Sequence, residues 1–208
     1  MRLKGKVAVV TGGGTGIGRA IALALAREGA ALLVASNVEP EVQAVARAAA
    51  ALGARALALG ADVTRLADMD AMAARAVAEL GSLDVLVTCA GIAGGGLLAE
   101  QPEPDWTRVI DVNLNGTYRA IRSALPHMMR QGEGRIVTIS SIYGRMGGFG
   151  YVSAYAASKH GVIGLTRALA HDLAAKRITV NCVVPGLIDT TRHESSAGIG
   201  APVMMRTA

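Results

Sequence analysis

Apolar, β-branched runs alternate along this chain with stretches whose apolar residues recur at helical spacing. The runs at 6–10, 31–35, 55–59, 83–88, 135–140 and 178–184 predict strands. Most are apolar at odd and even positions alike, the pattern of strands covered by helices on both faces. Helical patterns fall at 16–28, 40–51, 66–80, 105–129 and 154–174, and Gly29, Gly53 and Gly81 follow the first three as stop signals. Pro126 falls inside the fourth helix and is expected to kink it or end it early. Asp105 is read as the cap of that helix, and Trp106 as packing. The alternation implies a single α/β domain: a doubly wound parallel sheet in three layers, with right-handed crossovers.

Composition narrows the class. At 208 residues the chain is one domain by length, and with 51% hydrophobic and 18% charged residues it is globular rather than disordered. The net charge of +5 raises nucleic acid as a partner, but the basic residues are scattered, with no run and no interleaved aromatics, so no nucleic-acid interface is expected. Cys89 and Cys182 each lie in an apolar strand run and are expected to be buried free thiols, which suits a reducing compartment. His127, His160, His171 and His193 share no spacing with carboxylates or cysteines, and no metal site is expected. With no secretory pattern and no apolar run of membrane-spanning length, a cytoplasmic protein without a membrane partner is expected.

Two motifs carry chemistry. The first follows the first strand and opens the first helix: Thr11, Gly12, Gly13, Gly14, Thr15, Gly16, Ile17, Gly18. Glycines here let backbone approach a pyrophosphate, and the helix N-terminus offers unpaired N–H groups and a positive dipole end. A strict GxGxxG does not occur, and the absence of Gly-Lys-Ser/Thr argues against a nucleoside-triphosphate loop. This context makes the domain Rossmann-type. A carboxylate is expected about 20 residues on, at the end of the second strand, to bind ribose hydroxyls. Ser36 and Asn37 stand there instead, and no acid follows before Glu39. Without that carboxylate a 2′-phosphate meets less repulsion, which favours NADP(H) over NAD(H). Ser36 and Asn37 are equally well read as plain loop residues.

The second motif is Tyr155 with Lys159, one helical turn apart on one face. An ammonium beside a phenol favours the phenolate and brings a general acid toward neutral working pH. Ser140 and Ser141 end the fifth strand, at the carboxyl edge where open α/β sheets bind ligands. Ser140 is expected to face the packing layer, and Ser141 is the candidate to hydrogen-bond a substrate oxygen. In the loop beyond, Tyr143, Met146, Phe149 and Tyr151 are read either as pocket lining or as ordinary loop residues. Asp189 and Glu194 are weaker candidates for substrate contact.

With these residues in order, the chain resembles the short, single-domain branch of the short-chain dehydrogenase/reductase family from about Lys4 to Thr190. The resemblance rests on the glycine turn, Asp62-Val63, Ala90-Gly91, Asn113, Ser141, the run from Tyr155 to Lys159, and Pro185-Gly186 with Thr190. It implies reversible reduction of a ketone or oxidation of a secondary alcohol with NAD(P), a 3-oxoacyl thioester reductase being one specific case and a sugar, steroid or small-alcohol dehydrogenase equally allowed. Tyr155 is implied as the proton donor or acceptor, and Ser141 as the group that orients the substrate oxygen. Lys159 tunes Tyr155 and binds the nicotinamide ribose. Asn113 distorts the fourth helix and helps hold a relay water to Lys159. Asp62 and Val63 are implied to meet the adenine, and Ala90 and Gly91 to pass the adenosine side. Pro185, Gly186, Ile188 and Thr190 would frame the nicotinamide end.

Two departures stand out. Thr88-Cys89 replaces the family's Asn-Asn before Ala90-Gly91, with fewer hydrogen bonds to offer. The chain also stops at Ala208, where the family continues through a further helix and strand. A shortened member is therefore expected, with residues 1–190 as the dinucleotide-binding catalytic domain and 191–208 as a flexible remnant of a substrate lid. The resemblance further implies a homodimer or homotetramer. The alternative function is a dinucleotide-binding regulatory or partner-binding module that turns nothing over.

Overall fold

The computed structural model describes residues 1–147 and 150–190. The chain runs β1 (Val7–Thr11), α1 (Gly16–Arg27), β2 (Ala31–Ser36), α2 (Glu39–Ala51), β3 (Ala56–Gly60), α3 (Leu66–Leu80) and β4 (Val85–Thr88). It continues through α4 (Glu103–Ile110), α5 (Gly116–Gln131), β5 (Gly134–Ile139), α6 (Ser153–Leu173) and β6 (Ile178–Val183). The six strands are all parallel, in the order β3-β2-β1-β4-β5-β6. The order reverses between β1 and β4, the switch point at which such sheets bind ligands.

All five residues of β1 are buried, because each face of the sheet has its own core. Val7 and Val9 join Leu33, Leu86 and Ile136 under α3, α5 and α6; Ala8 and Val10 join Leu32, Val34 and Val85 under α1 and α2. The continuous apolar strand runs thus reflect two covered faces. The expected helix stops hold: Gly29, Gly53 and Gly81 have φ of 90°, 86° and 102°, a region that costs glycine little.

The fourth helix differs from expectation. It begins at Glu103 after Pro102, so Asp105 lies inside its first turn, where it faces the positive dipole end and is not the cap. The break falls at residues 111–115, a π-helical turn around Asn113, where the family resemblance implies a distortion, and not at Pro126. Pro126 does not end α5, which runs on to Gln131. That last stretch is anchored from outside: Met128 is buried, and the Gln131 amide accepts from Leu83 N–H (2.9 Å) and donates to its carbonyl (3.1 Å). Tertiary contacts outweigh the hydrogen bond that proline removes. The cysteines also differ from expectation. Both are only half-buried, Cys89 just past β4 and Cys182 on β6, which has one strand neighbour among the described residues. Among the described residues no helix is long and apolar enough to cross a membrane, and no group of three or more His, Cys, Asp or Glu could hold a metal ion.

A polar clamp closes the amino edge of the sheet. Asp84 accepts from Val7 N–H (2.8 Å), the Ser82 hydroxyl (2.6 Å) and Lys6 Nζ (3.3 Å), and Lys6 also meets Glu133 at 2.7 Å. Burial pushes the Asp84 carboxyl up, but the bonds from Ser82, Val7 and Lys6 outweigh it and hold the group below its ordinary value. A depressed carboxylate contributes stability above its unfolded pKa, near 3.9, and loses it as pH falls through the lower folded value. Asp84→Asn is expected to cost about 1–3 kcal/mol at neutral pH. In urea unfolding the gap to wild type should narrow below about pH 4; a gap independent of pH would refute this account.

Thr11, Thr88 and Thr138 stand in register side by side on β1, β4 and β5. Thr138 Oγ1 shares a 2.7 Å bond with Thr166 Oγ1, and Thr11 Oγ1 accepts from Ala90 N–H at 3.5 Å. Thr88 Oγ1 is buried with no hydrogen-bond partner among the described residues. Thr88→Val keeps the shape and removes the unsatisfied hydroxyl, so it should be neutral or stabilising by up to about 1 kcal/mol. A loss of more than about 1 kcal/mol on unfolding would show that the hydroxyl is satisfied.

Candidate active site

The glycine turn leaves β1 at the switch point and is pressed against the segment after β4. Gly12 has φ 63°, and a Cβ there would lie 2.6 Å from the Ala90 backbone. No larger residue fits without separating the turn from β4. Thr15 is the N-cap of α1 but makes no side-chain cap, and no acid lies in the first turn. The N–H groups and dipole of α1 therefore face outward beneath the turn. Thr190 returns to this place, 3.4 Å from where a Cβ on Gly16 would stand.

Ser36 ends β2, and its hydroxyl closes a local turn, accepting from Val38 N–H (3.1 Å) and donating to Val38 O (3.3 Å). Asn37 is exposed beside it. Asp62 follows β3; its carboxylate accepts from Thr64 N–H (2.9 Å) and the Thr64 hydroxyl (2.8 Å). Val63 is buried against Gly116, where a Cβ would come within 2.7 Å.

Three elements meet at the carboxyl edge of β4 and β5. Ser141, 7% exposed, begins a short 3-10 turn at Ile142–Gly144, and its oxygen accepts from Tyr143 N–H at 3.3 Å. Ser140 faces the packing layer as expected: its hydroxyl donates to the Lys159 carbonyl at 2.8 Å. Near the start of α6, Tyr155 is half-buried and packs edge-on against Tyr143, ring centroids 6.1 Å apart. Lys159 is 5% exposed, and its Nζ lies 5.7 Å from the Tyr155 ring centroid and donates to Ile139 O at 2.9 Å. A Cβ on Gly91 would lie 3.1 Å from Asn113 Oδ1 and 3.5 Å from Lys159 Nζ, so the Ala90–Gly91 turn passes directly over both groups.

Asn113 is fully buried within the π-helical turn. Its side chain accepts from Ile92 N–H (2.7 Å) and donates to Ile92 O (3.0 Å) and Ser158 Oγ (3.0 Å). Its carbonyl accepts the Thr117 hydroxyl at 2.8 Å. Sequence reading gave Ser158 and Ile92 no part in this clamp. Ser158 was visible only as a polar residue within the Tyr155–Lys159 run, one place before the lysine.

The Pro185–Gly186 segment joins the serine loop, since Ile142 N–H donates to Pro185 O at 2.9 Å. Ile188 and Asp189 are exposed. Tyr151 has φ 55°, rare for a non-glycine, and its carbonyl accepts from Gly96 N–H at 2.9 Å, tying the 92–98 loop to the approach to α6. Met146 and Tyr151 are exposed, whereas Phe149, His193, Glu194 and the expected lid remnant at 191–208 lie outside the described residues. Trp106 and His127 are half-buried, and His160 and His171 are exposed.

These residues fit a dinucleotide. The turn has a bare backbone where Gly12 meets Ala90, an uncapped helix N-terminus lies behind it, and Gly91 leaves space beside a buried ammonium. A family model for the short chain dehydrogenases matches residues 6–198. The 3-oxoacyl-[acyl-carrier-protein] reductase FabG of Staphylococcus aureus (strain N315) is 44% identical over 184 residues, covering 88% of this chain and 74% of that protein. FabG of Escherichia coli (strain K12) is 40% identical over 208 residues, 98% of this chain and 84% of that protein. A dehydrogenase/reductase from Sinorhizobium meliloti 1021 superposes with a TM-score of 0.87 at 42% identity, over 91% of this chain and 75% of that one. The chain belongs to the short-chain dehydrogenase/reductase family and is an NAD(P)-dependent oxidoreductase acting between CH–OH and C=O.

Proposed function

We propose that the chain reduces the ketone of a 3-oxoacyl thioester, and runs the reverse oxidation, with Tyr155 as general acid and base. The observation that carries this reading is the buried Lys159 ammonium, which faces the Tyr155 ring and the Ala90–Gly91 turn at once. A reduced nicotinamide, when bound, supplies hydride to the carbonyl carbon. Tyr155 gives its proton to the oxygen as charge builds there. Ser141, its oxygen fixed by Tyr143 N–H, donates its own hydrogen to the same atom. Lys159 favours the ionised phenol, so that Tyr155 can both release and recover a proton near neutrality. Asn113 holds the turn at Ile92 in place. A carbonyl has two lone pairs, so its main-chain oxygen can take a relay water as well as the Thr117 hydroxyl.

The glycine turn, the α1 N-terminus and Thr190 would hold the pyrophosphate. Asp62 and Val63 would meet the adenine, Ala90 and Gly91 the adenosine side, and Pro185, Gly186 and Ile188 the nicotinamide. The acyl thioester is drawn from the names of the relatives and from the surface. The loops at the carboxyl edge carry exposed Leu97, Leu98, Met146, Tyr151, Leu187 and Ile188, which suit an apolar acyl chain better than a sugar. Self-association as a homodimer or homotetramer is proposed through α5, where Tyr118 and Met129 are exposed. The expectation of NADP(H) rested on the lack of a carboxylate at the end of β2, and Glu41 brings one there from the first turn of α2.

The test is oxidation of NADH or NADPH by the purified protein with an acetoacetyl thioester. Tyr155→Phe is expected to lower kcat by at least about 10²-fold with dinucleotide binding retained. Lys159→Met should move the rise of alcohol-oxidation rate with pH to higher pH, because the phenol then ionises without its cation. Dinucleotide binding with no turnover of any carbonyl compound would leave only the non-catalytic module.

A further inference from the structure

We propose that Glu41 is the residue that sets dinucleotide choice, excluding a 2′-phosphate and accepting the ribose hydroxyls of NAD(H). The proposal rests on the reading above that the glycine turn holds a dinucleotide. In sequence, Glu41 lies five places beyond the end of β2, inside a helix, and nothing marks it. In space the first turn of α2 folds back over the glycine turn. A Cβ on Gly14 would lie 2.8 Å from both Glu41 Cβ and Glu41 Oε2, and 3.3 Å from Ser36 Oγ. The carboxylate and the serine hydroxyl therefore converge over one bare Cα at the adenosine side of the switch point.

The glycine turn and the β2–α2 segment bring only carboxylates to this corner, and Arg19 and Arg47 lie just beyond them on α1 and α2. No Lys or Arg occurs in residues 11–18 or 31–46, and Glu39 stands beside Glu41 in the first turn of α2. The positive end of the α2 dipole already faces these two carboxylates. Among the described residues Glu41 has no ion pair that would neutralise it. Ser36 cannot turn to a phosphate without opening its turn, because its hydroxyl both accepts from and donates to Val38. A 2′-phosphate, close to doubly charged at neutral pH, would enter beside a half-buried carboxylate with no Lys or Arg in the glycine turn or the β2–α2 segment to offset it. A ribose hydroxyl instead meets an ionised acceptor, a strong hydrogen bond. Gly14 is needed for this arrangement, since any side chain there would displace Glu41.

The test is direct binding, without substrate, of NADH and NADPH to wild type, Glu41→Gln and Glu39→Gln, followed by nicotinamide fluorescence at low ionic strength. Wild type is expected to bind NADH at least about tenfold more tightly than NADPH. Glu41→Gln should gain about tenfold for NADPH while NADH binding holds or weakens slightly. Glu39→Gln, whose carboxylate faces Gly60 and is held by Gln43, should shift the ratio much less. The inference is overturned if wild type prefers NADPH, if Glu41→Gln leaves the ratio unchanged, or if Glu39→Gln shifts it equally. Loss of both dinucleotides in wild type would instead remove the reading of the glycine turn on which the inference stands.

Discussion

An ammonium that is 5% exposed has to be surrounded by acceptors, and the site is organised by how Lys159 meets that requirement. One acceptor is the Ile139 carbonyl, the last of β5. Its own carbonyl takes the Ser140 hydroxyl, the next residue of the same chain segment. α6 is therefore pinned to the end of β5 at both ends of one residue. The residue that follows, Ser141, accepts from the N–H of Tyr143, whose ring packs edge-on against Tyr155, and the Tyr155 ring faces the same ammonium. A single buried cation thus helps fix the positions of the two hydroxyls proposed to orient the substrate oxygen and to transfer a proton. Preorganisation of this kind costs nothing at the moment of reaction, which is why it belongs on a sheet edge and a long helix rather than on loops.

The π-helical turn at Asp111–Asn115 is the second device. A regular helix would carry every carbonyl and side chain past this edge at fixed spacing. The widened turn turns the fully buried Asn113 amide to the backbone of Ile92 and to Ser158. Ile92 is the first residue after Gly91, so the clamp holds the glycine over Lys159. The turn has its own support: Arg119 meets Asp111 at 2.7 Å, and Asn115 donates to the same carboxylate at 3.1 Å. Such a break in the ladder persists only where neighbours satisfy the freed groups.

Most of the fold was legible because both cores write themselves into the strands. Runs apolar at every position mark strands covered on two sides, and the glycine stops follow from backbone freedom alone. The Tyr155–Lys159 pair and the glycine turn were legible because their spacing is local. What escaped was everything set by tertiary contact. Pro126 is tolerated because Gln131 and Met128 are held by other elements. The distortion at 111–115 was legible only through the family resemblance at Asn113, since its cause, partners 21 and 45 residues away, leaves no local mark. Glu41 escaped for the same reason: a ribose carboxylate is expected at the strand end, while the proposed one arrives from a helix turn.

The two ends of the site manage charge in opposite ways, and the sheet explains the difference. At the β4–β5 edge the cation is enclosed, so its field is little screened and acts strongly on a phenol 5.7 Å away. At the β1–β2 edge Glu41 is only half-buried, so its field is screened by salt and, on the proposal above, discriminates between ligands rather than driving chemistry. A strong, dry field suits proton transfer, where one group must respond to one developing charge. A weaker, wet field suits a choice between two cofactors that differ by a phosphate far from the reaction. On that proposal, altering the helix side of β2 retunes which dinucleotide enters without disturbing the β5–α6 contact at Lys159.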